Sequence, residues 1–254
     1  MSKILVVGNW KMNPATISEA KILAKKIKAV APRLQNTDAV MAPPLAFASA
    51  CAPQKPVKNL YLGAQFVSVE SGVGPFTGEV SVDMLKSLNI QYIILGHSEQ
   101  RARGETSAMV SKKMKNALEA GITPVLCVGE MNRDQDGSYL EPLKAQIKES
   151  LEGIPKKYAK EIVIAYEPVW AIGAKEAMMP DQIYETSLFV KKVFADIFTP
   201  DAGVKATILY GGSVNFRNAA DIISIGKVDG FLVGRESVNA AGFVELLKTV
   251  DSVV

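Results

Sequence analysis

The sequence predicts an α/β fold, a (β/α)₈ barrel in a single domain over residues 1–254. Three observations predict it. Eight short apolar runs recur along the chain, and their apolar residues are consecutive rather than alternating, as in parallel strands buried on both faces. Stretches of helical period separate them, which is the alternation of a parallel α/β fold. Polar and ionisable residues follow the runs, where barrels of this kind place their active groups. A doubly wound open sheet is the alternative arrangement of the same alternation.

The elements read as follows. The run Ile4–Gly8 leads to Asn9 and Lys11, and a helical stripe from Ile17 to Val30 ends just before Pro32. Ala39–Ala42 is followed by Pro43 and Pro44. Tyr61–Ala64 is followed by Gln65, with a helix from Val80 to Leu88. Tyr92–Gly96 gives His97, Ser98 and Glu99; the stripe Val110, Met114, Ala117 and Leu118 then stops at Gly121, a suitable C-terminal cap. Thr123–Gly129 gives Glu130, and Leu143, Ile147 and Leu151 stop at Gly153. Ile162–Tyr166 gives Glu167, and a stripe from Ile183 to Ile197 stops before Pro200. Thr207–Gly211 gives Gly212 and Ser213, and Ala219, Ile222 and Ile223 stop near Gly226. Phe231–Gly234 gives Arg235, and Val244, Leu246 and Leu247 close the chain.

Composition narrows the class. The 254 residues are 48% hydrophobic and 22% charged, with a net charge of +3. That apolar content excludes disorder. Two cysteines, Cys51 and Cys127, exclude a disulfide scaffold. No dense Lys/Arg run suggests nucleic acid, and no apolar stretch approaches the ~18–20 residues of a membrane helix. The N-terminal apolar run is too short for a secretory signal, so a cytoplasmic setting is expected.

Candidate chemistry sits at the run ends. His97 is the only histidine, which excludes His-pair zinc motifs, and no metal site is expected. Glu167 ends a buried run, where a carboxylate is costly unless paired or used. Glycines at Gly211, Gly212 and Gly234 let backbone N–H groups approach an anion. The segment Gly72 to Gly78 lacks the dinucleotide-binding spacing, and no P-loop is present.

Five strings together resemble the triosephosphate isomerase family: Gly8-Asn9-Trp10-Lys11-Met12-Asn13, Gly96-His97-Ser98-Glu99, Cys127-Val128-Gly129-Glu130, Tyr166 to Gly173, and Tyr210-Gly211-Gly212-Ser213-Val214. They span nearly the whole chain in the family's order. The resemblance implies a TIM barrel that interconverts dihydroxyacetone phosphate and D-glyceraldehyde 3-phosphate, a step of glycolysis and gluconeogenesis, without cofactor. It implies Glu167 as base, His97 as electrophile, Lys11 as electrostatic stabiliser, Asn9 as hydrogen-bonding partner and Glu99 as the resting partner of Lys11. Gly173, Ser213, Gly234 and the N–H of residue 235 would hold the phosphate. Residues 168–179 would form a lid that presses Ile172 and Leu232 around Glu167 and excludes water. The segment from Ser71 to Glu79, with Phe76 and Thr77, would serve as the loop of a homodimer.

Two departures stand out. Arg235 replaces a glycine usual in the family, and a non-glycine residue resists positive φ, so the phosphate geometry is expected to shift. The lid tip, Ala174 to Met179, has fewer glycines and more bulk than usual, which is expected to alter lid kinetics. The competing readings are another phosphate-binding barrel isomerase and a catalytically silent barrel.

Overall fold

The structure is a computed structural model that describes residues 3–134, 136–171 and 178–253. Eight parallel strands close on themselves in sequence order: β1 (Ile4–Asn9), β2 (Thr37–Ala42), β3 (Leu60–Ala64), β4 (Tyr92–Leu95), β5 (Thr123–Val128), β6 (Val163–Tyr166), β7 (Thr207–Tyr210) and β8 (Gly230–Val233). Closure is made by β8 lying beside β1, with Leu5 opposite Gly230 and Val7 opposite Leu232. The open-sheet alternative is thereby excluded.

The helices are α1 (Ile17–Val30), α2 (Leu45–Cys51), α3 (Val82–Ser87), α4 (Ser98–Arg101), α5 (Ser107–Glu119), α6 (Leu140–Ser150), α7 (Pro180–Ile197), α8 (Pro200–Val204), α9 (Ala219–Ser224) and α10 (Ala240–Val253). Local chemistry fixes their ends. Thr16 and Glu19 form a capping box on α1, and Ser81, Thr106 and Thr199 cap α3, α5 and α8. The α3 cap at Ser81 starts that helix two residues later than its apolar pattern suggests. Among the described residues, no helix is long and apolar enough to cross a membrane.

Strand alternation sorts the core into two layers. Leu5, Val7, Val40, Ala42, Ile94 and Val125 belong to a cluster that also holds Ala165, Leu209 and Leu232, and it fills the barrel. Val6, Met41, Ile93, Leu126, Ile164 and Phe231 belong to a larger cluster that packs against the helices. Both faces of each strand are therefore buried, which explains the continuous apolar runs.

Candidate active site

The inward-facing row of a strand continues past its end, and this carries side chains into the barrel mouth. On β1 the row Leu5, Val7 leads to Asn9; on β6 the row Val163, Ala165 leads to Glu167; on β8 Leu232 leads to Gly234. A cavity of about 550 Å³ at this end is lined by Asn9, Lys11, His97, Glu167, Ser213, Leu232, Gly234 and Arg235. Eight of the sequence-predicted positions thus meet in one place.

His97 is 6% exposed and stands at the start of α4. Its Nδ1 accepts the backbone N–H of Glu99 at 3.1 Å. A ring nitrogen that accepts carries no proton, so the neutral ring bears its hydrogen on Nε2. Nε2 faces Oε1 of Glu167 at 3.1 Å, and the backbone N–H of Ser98 reaches Oε2 of the same carboxylate at 3.4 Å. Glu167 is 3% exposed, and its remaining surroundings are tight. A Cβ on Gly211 would lie 2.7 Å from its Cγ, and one on Gly129 would lie 1.7 Å from its carbonyl oxygen. Both positions must be glycine for Glu167 to sit where it does. Burial pushes the Cys127 thiol well above its usual range, and the nearby Glu167 charge pushes it further.

Lys11 adopts a left-handed backbone, φ 52°, and its N–H donates to Asn9 Oδ1 at 3.0 Å. That turn aims the ammonium across the mouth. Nζ lies 2.5 Å from Glu99 Oε1 and 3.8 Å from where a Cβ on Gly234 would stand. Burial raises the Glu99 carboxyl, but its hydrogen bond and ion pair with Lys11 outweigh that and hold it below the ordinary value.

Arg235 opens a 3₁₀ turn, Arg235–Val238, and is not among the non-glycine residues with positive φ. The expected backbone conflict therefore does not arise, because this position needs no left-handed conformation. Gly173 and Ile172, and the lid tip from Ala174 to Ala177, lie outside the described residues. Phe76 and Thr77 do not line the cavity; they belong to an exposed segment between β3 and α3.

Sequence reasoning missed the role of Glu130. Its Oε1 accepts from Tyr166 Oη and Trp170 Nε1, both at 2.8 Å, and Arg133 Nη1 lies at 4.0 Å. The Met178 N–H donates to Tyr210 Oη at 3.2 Å. These bonds pin the two ends of segment 168–179. The signal was present, since Glu130 is also a carboxylate ending a buried strand. Among the described residues, no cluster of His, Cys, Asp and Glu is arranged to hold a metal ion.

Comparison with known proteins identifies the family. A family profile described as Triosephosphate isomerase matches residues 4–250. A triosephosphate isomerase of Endomicrobium trichonymphae is 40% identical over 252 residues, covering 98% of this chain and 99% of its own. One of Clostridium novyi is 39% identical over 249 residues, covering 97% and 98%. One of Thermus thermophilus is 40% identical over 250 residues, covering 98% and 99%. With a matching profile over nearly its full length and relatives this similar, the chain belongs to the triosephosphate isomerase family.

Proposed function

We propose that this chain interconverts dihydroxyacetone phosphate and D-glyceraldehyde 3-phosphate through an enediolate, as the names of its relatives imply. The observation that carries the reading is the buried pair His97 Nε2 and Glu167 Oε1, 3.1 Å apart, with Nδ1 already occupied by the Glu99 N–H. Such a ring can give a proton from Nε2, and the carboxylate beside it can take one.

Glu167 removes a proton from the carbon beside the carbonyl, and the C–H electron pair moves into the enediolate. The Nε2–H of His97 polarises the carbonyl oxygen and exchanges a proton between the two enediolate oxygens. The Lys11 ammonium stabilises the negative charge that develops there. The protonated Glu167 then returns its proton to the neighbouring carbon, which completes the isomerisation without a net redox change. Asn9 supports this by holding the turn that aims Lys11.

The phosphate is assigned to Gly173, Ser213, Gly234 and the N–H of Arg235, the last three of which line the same cavity as Glu167. Segment 168–179 acts as the lid, with Ile172 and Leu232 closing on the base. Excluding water matters because an enediolate phosphate otherwise eliminates phosphate. The chain is read as a cytoplasmic homodimer. Val73, Phe76 and Thr77 are exposed in the segment between β3 and α3, and Met12 is exposed after β1, which supports an interface involving them.

A coupled assay on glyceraldehyde 3-phosphate tests the reading. Turnover is expected from the wild-type chain and is expected to be lost in a folded Glu167→Gln variant. A folded wild-type dimer without turnover would overturn it.

A further inference from the structure

Among the described residues, four charged side chains line the cavity: Lys11, Glu167, Arg235 and Glu236. Three of them are engaged. Lys11 pairs with Glu99, and Glu167 faces His97. Glu236 is turned back against the start of α10: its Oε1 accepts from Asn239 Nδ2 at 3.2 Å and fills the space a Cβ on Gly242 would need. Burial there pushes its carboxyl up. Arg235 is exposed and, among the described residues, makes no ion pair or side-chain hydrogen bond. Among the described residues its charge is therefore left uncompensated at the mouth, since the neighbouring Glu236 carboxylate is turned toward Asn239.

We propose that the Arg235 guanidinium is an electrostatic capture residue that draws the doubly charged phosphate of the substrate into the cavity, in addition to the backbone contact assigned to that position. This rests on the isomerase reading above. A cleft whose field has the opposite sign to its substrate raises the encounter rate, and the effect falls with ionic strength. No direct contact is required. A unit cation and a phosphate dianion about 10 Å apart in water attract strongly enough to change an encounter constant roughly fourfold. The guanidinium is always charged, and the phosphate is a dianion above about pH 6.

The test is kcat/KM for glyceraldehyde 3-phosphate across ionic strengths from about 0.01 M to about 1 M, where screening lengths run from about 30 Å to about 3 Å. Wild type, Arg235→Gln and Arg235→Lys are compared. At low salt Arg235→Gln is expected to lose roughly fourfold in kcat/KM, with kcat at saturating substrate little changed, and to converge on wild type at high salt. Arg235→Lys, which keeps the charge but not the planar fork, is expected to keep the wild-type salt slope. An Arg235→Gln variant with the wild-type slope would overturn the proposal. So would an equal loss at every ionic strength, which would mark a packing or direct-contact role. Wild-type chain without turnover would remove the isomerase reading and this role with it, whereas turnover with unchanged slope removes this role alone.

Discussion

Replacing Gly211 with alanine tests whether the slot around Glu167 sets its reactivity. Gly211 has no positive φ, so alanine is compatible with the backbone there and the effect is purely steric. The added Cβ would stand 2.7 Å from Glu167 Cγ and 3.6 Å from Cδ. Carbon atoms are comfortable at about 3.5–4.0 Å, so the Glu167 carboxylate, the base of the proposed function, must retreat by about 1 Å. The neighbouring contact is also closed, because the Tyr166 carbonyl oxygen would lie 3.3 Å from the new methyl. A misplacement of about 1 Å at a reacting group costs on the order of 100-fold in rate, or about 2.7 kcal/mol in the barrier. The expected outcome is a kcat reduced about 100-fold, with a thermal transition within a few degrees of wild type. The coupled isomerase assay measures the first, and circular dichroism on heating the second. A Gly211→Ala protein that turns over within about threefold of wild type would refute the argument that this contact positions the base.

Two further outcomes follow from buried groups. Lys113 and Glu105 form a buried pair at 2.6 Å, and Glu105 Oε2 also accepts the Gly96 N–H just before His97. Lys113→Met strands that carboxylate, so unfolding by denaturant should show a loss of about 3–5 kcal/mol; a loss below about 1 kcal/mol would mean the pair is hydrated in solution. The Cys127 thiol is raised by burial and then by Glu167, so the folded state keeps it protonated. For an acid raised on folding, the resulting stability is full below the unfolded thiol value, about 8.5, and declines as pH rises above it. Native protein at pH 8 should therefore leave Cys127 unmodified by a thiol reagent until denaturant is added, and rapid native labelling would contradict this.

The barrel was legible because both faces of each strand are buried, which writes a strand as an unbroken apolar run. The candidate site was legible because polar residues directly after such runs fall at one end of the barrel; Asn9, His97 and Glu167 stand out on that ground and line one cavity. Other features left weaker traces. Helix α2 carries the sequence Leu-Ala-Phe-Ala-Ser-Ala-Cys and buries only Ala48 and Cys51, so no apolar stripe marks it against a polar background. Helix α8 begins at Pro200, read from sequence only as the stop of the preceding helix. The turn Arg235–Val238 is too short for a period. Glu130 was visible as a strand-end carboxylate, but its partners Tyr166 and Trp170 lie 36 and 40 residues away. Gly211 was read as a backbone made bare for an anion. Its contact with Glu167 depends on the register of β6 against β7, which places Tyr166 opposite Tyr210 and thereby sets their following residues side by side.

That register also constrains how the Glu167 carboxylate can move. The Glu167 N–H donates to Val128 O at 2.8 Å, the Gly211 N–H donates to Tyr166 O at 2.8 Å, and the Val169 N–H donates to Glu130 O at 3.0 Å. The backbone on either side of Glu167 is therefore tied to β5 and β7. Beyond it, Trp170 is tied to Glu130 and Met178 to Tyr210, on either side of residues 172–177. In this arrangement the carboxylate rests on His97 and the Ser98 N–H rather than in the open cavity. On the proposed function, the carboxylate must leave Ser98 to reach a substrate carbon, and with its backbone tied on both sides it does so by side-chain rotation. A rotating carboxylate needs a slot without walls that protrude, and the bare Gly211 backbone provides one side of it. The glycine after β7 thus bounds the Glu167 side chain, which makes it a position where one added methyl group acts on that carboxylate before it acts on the fold.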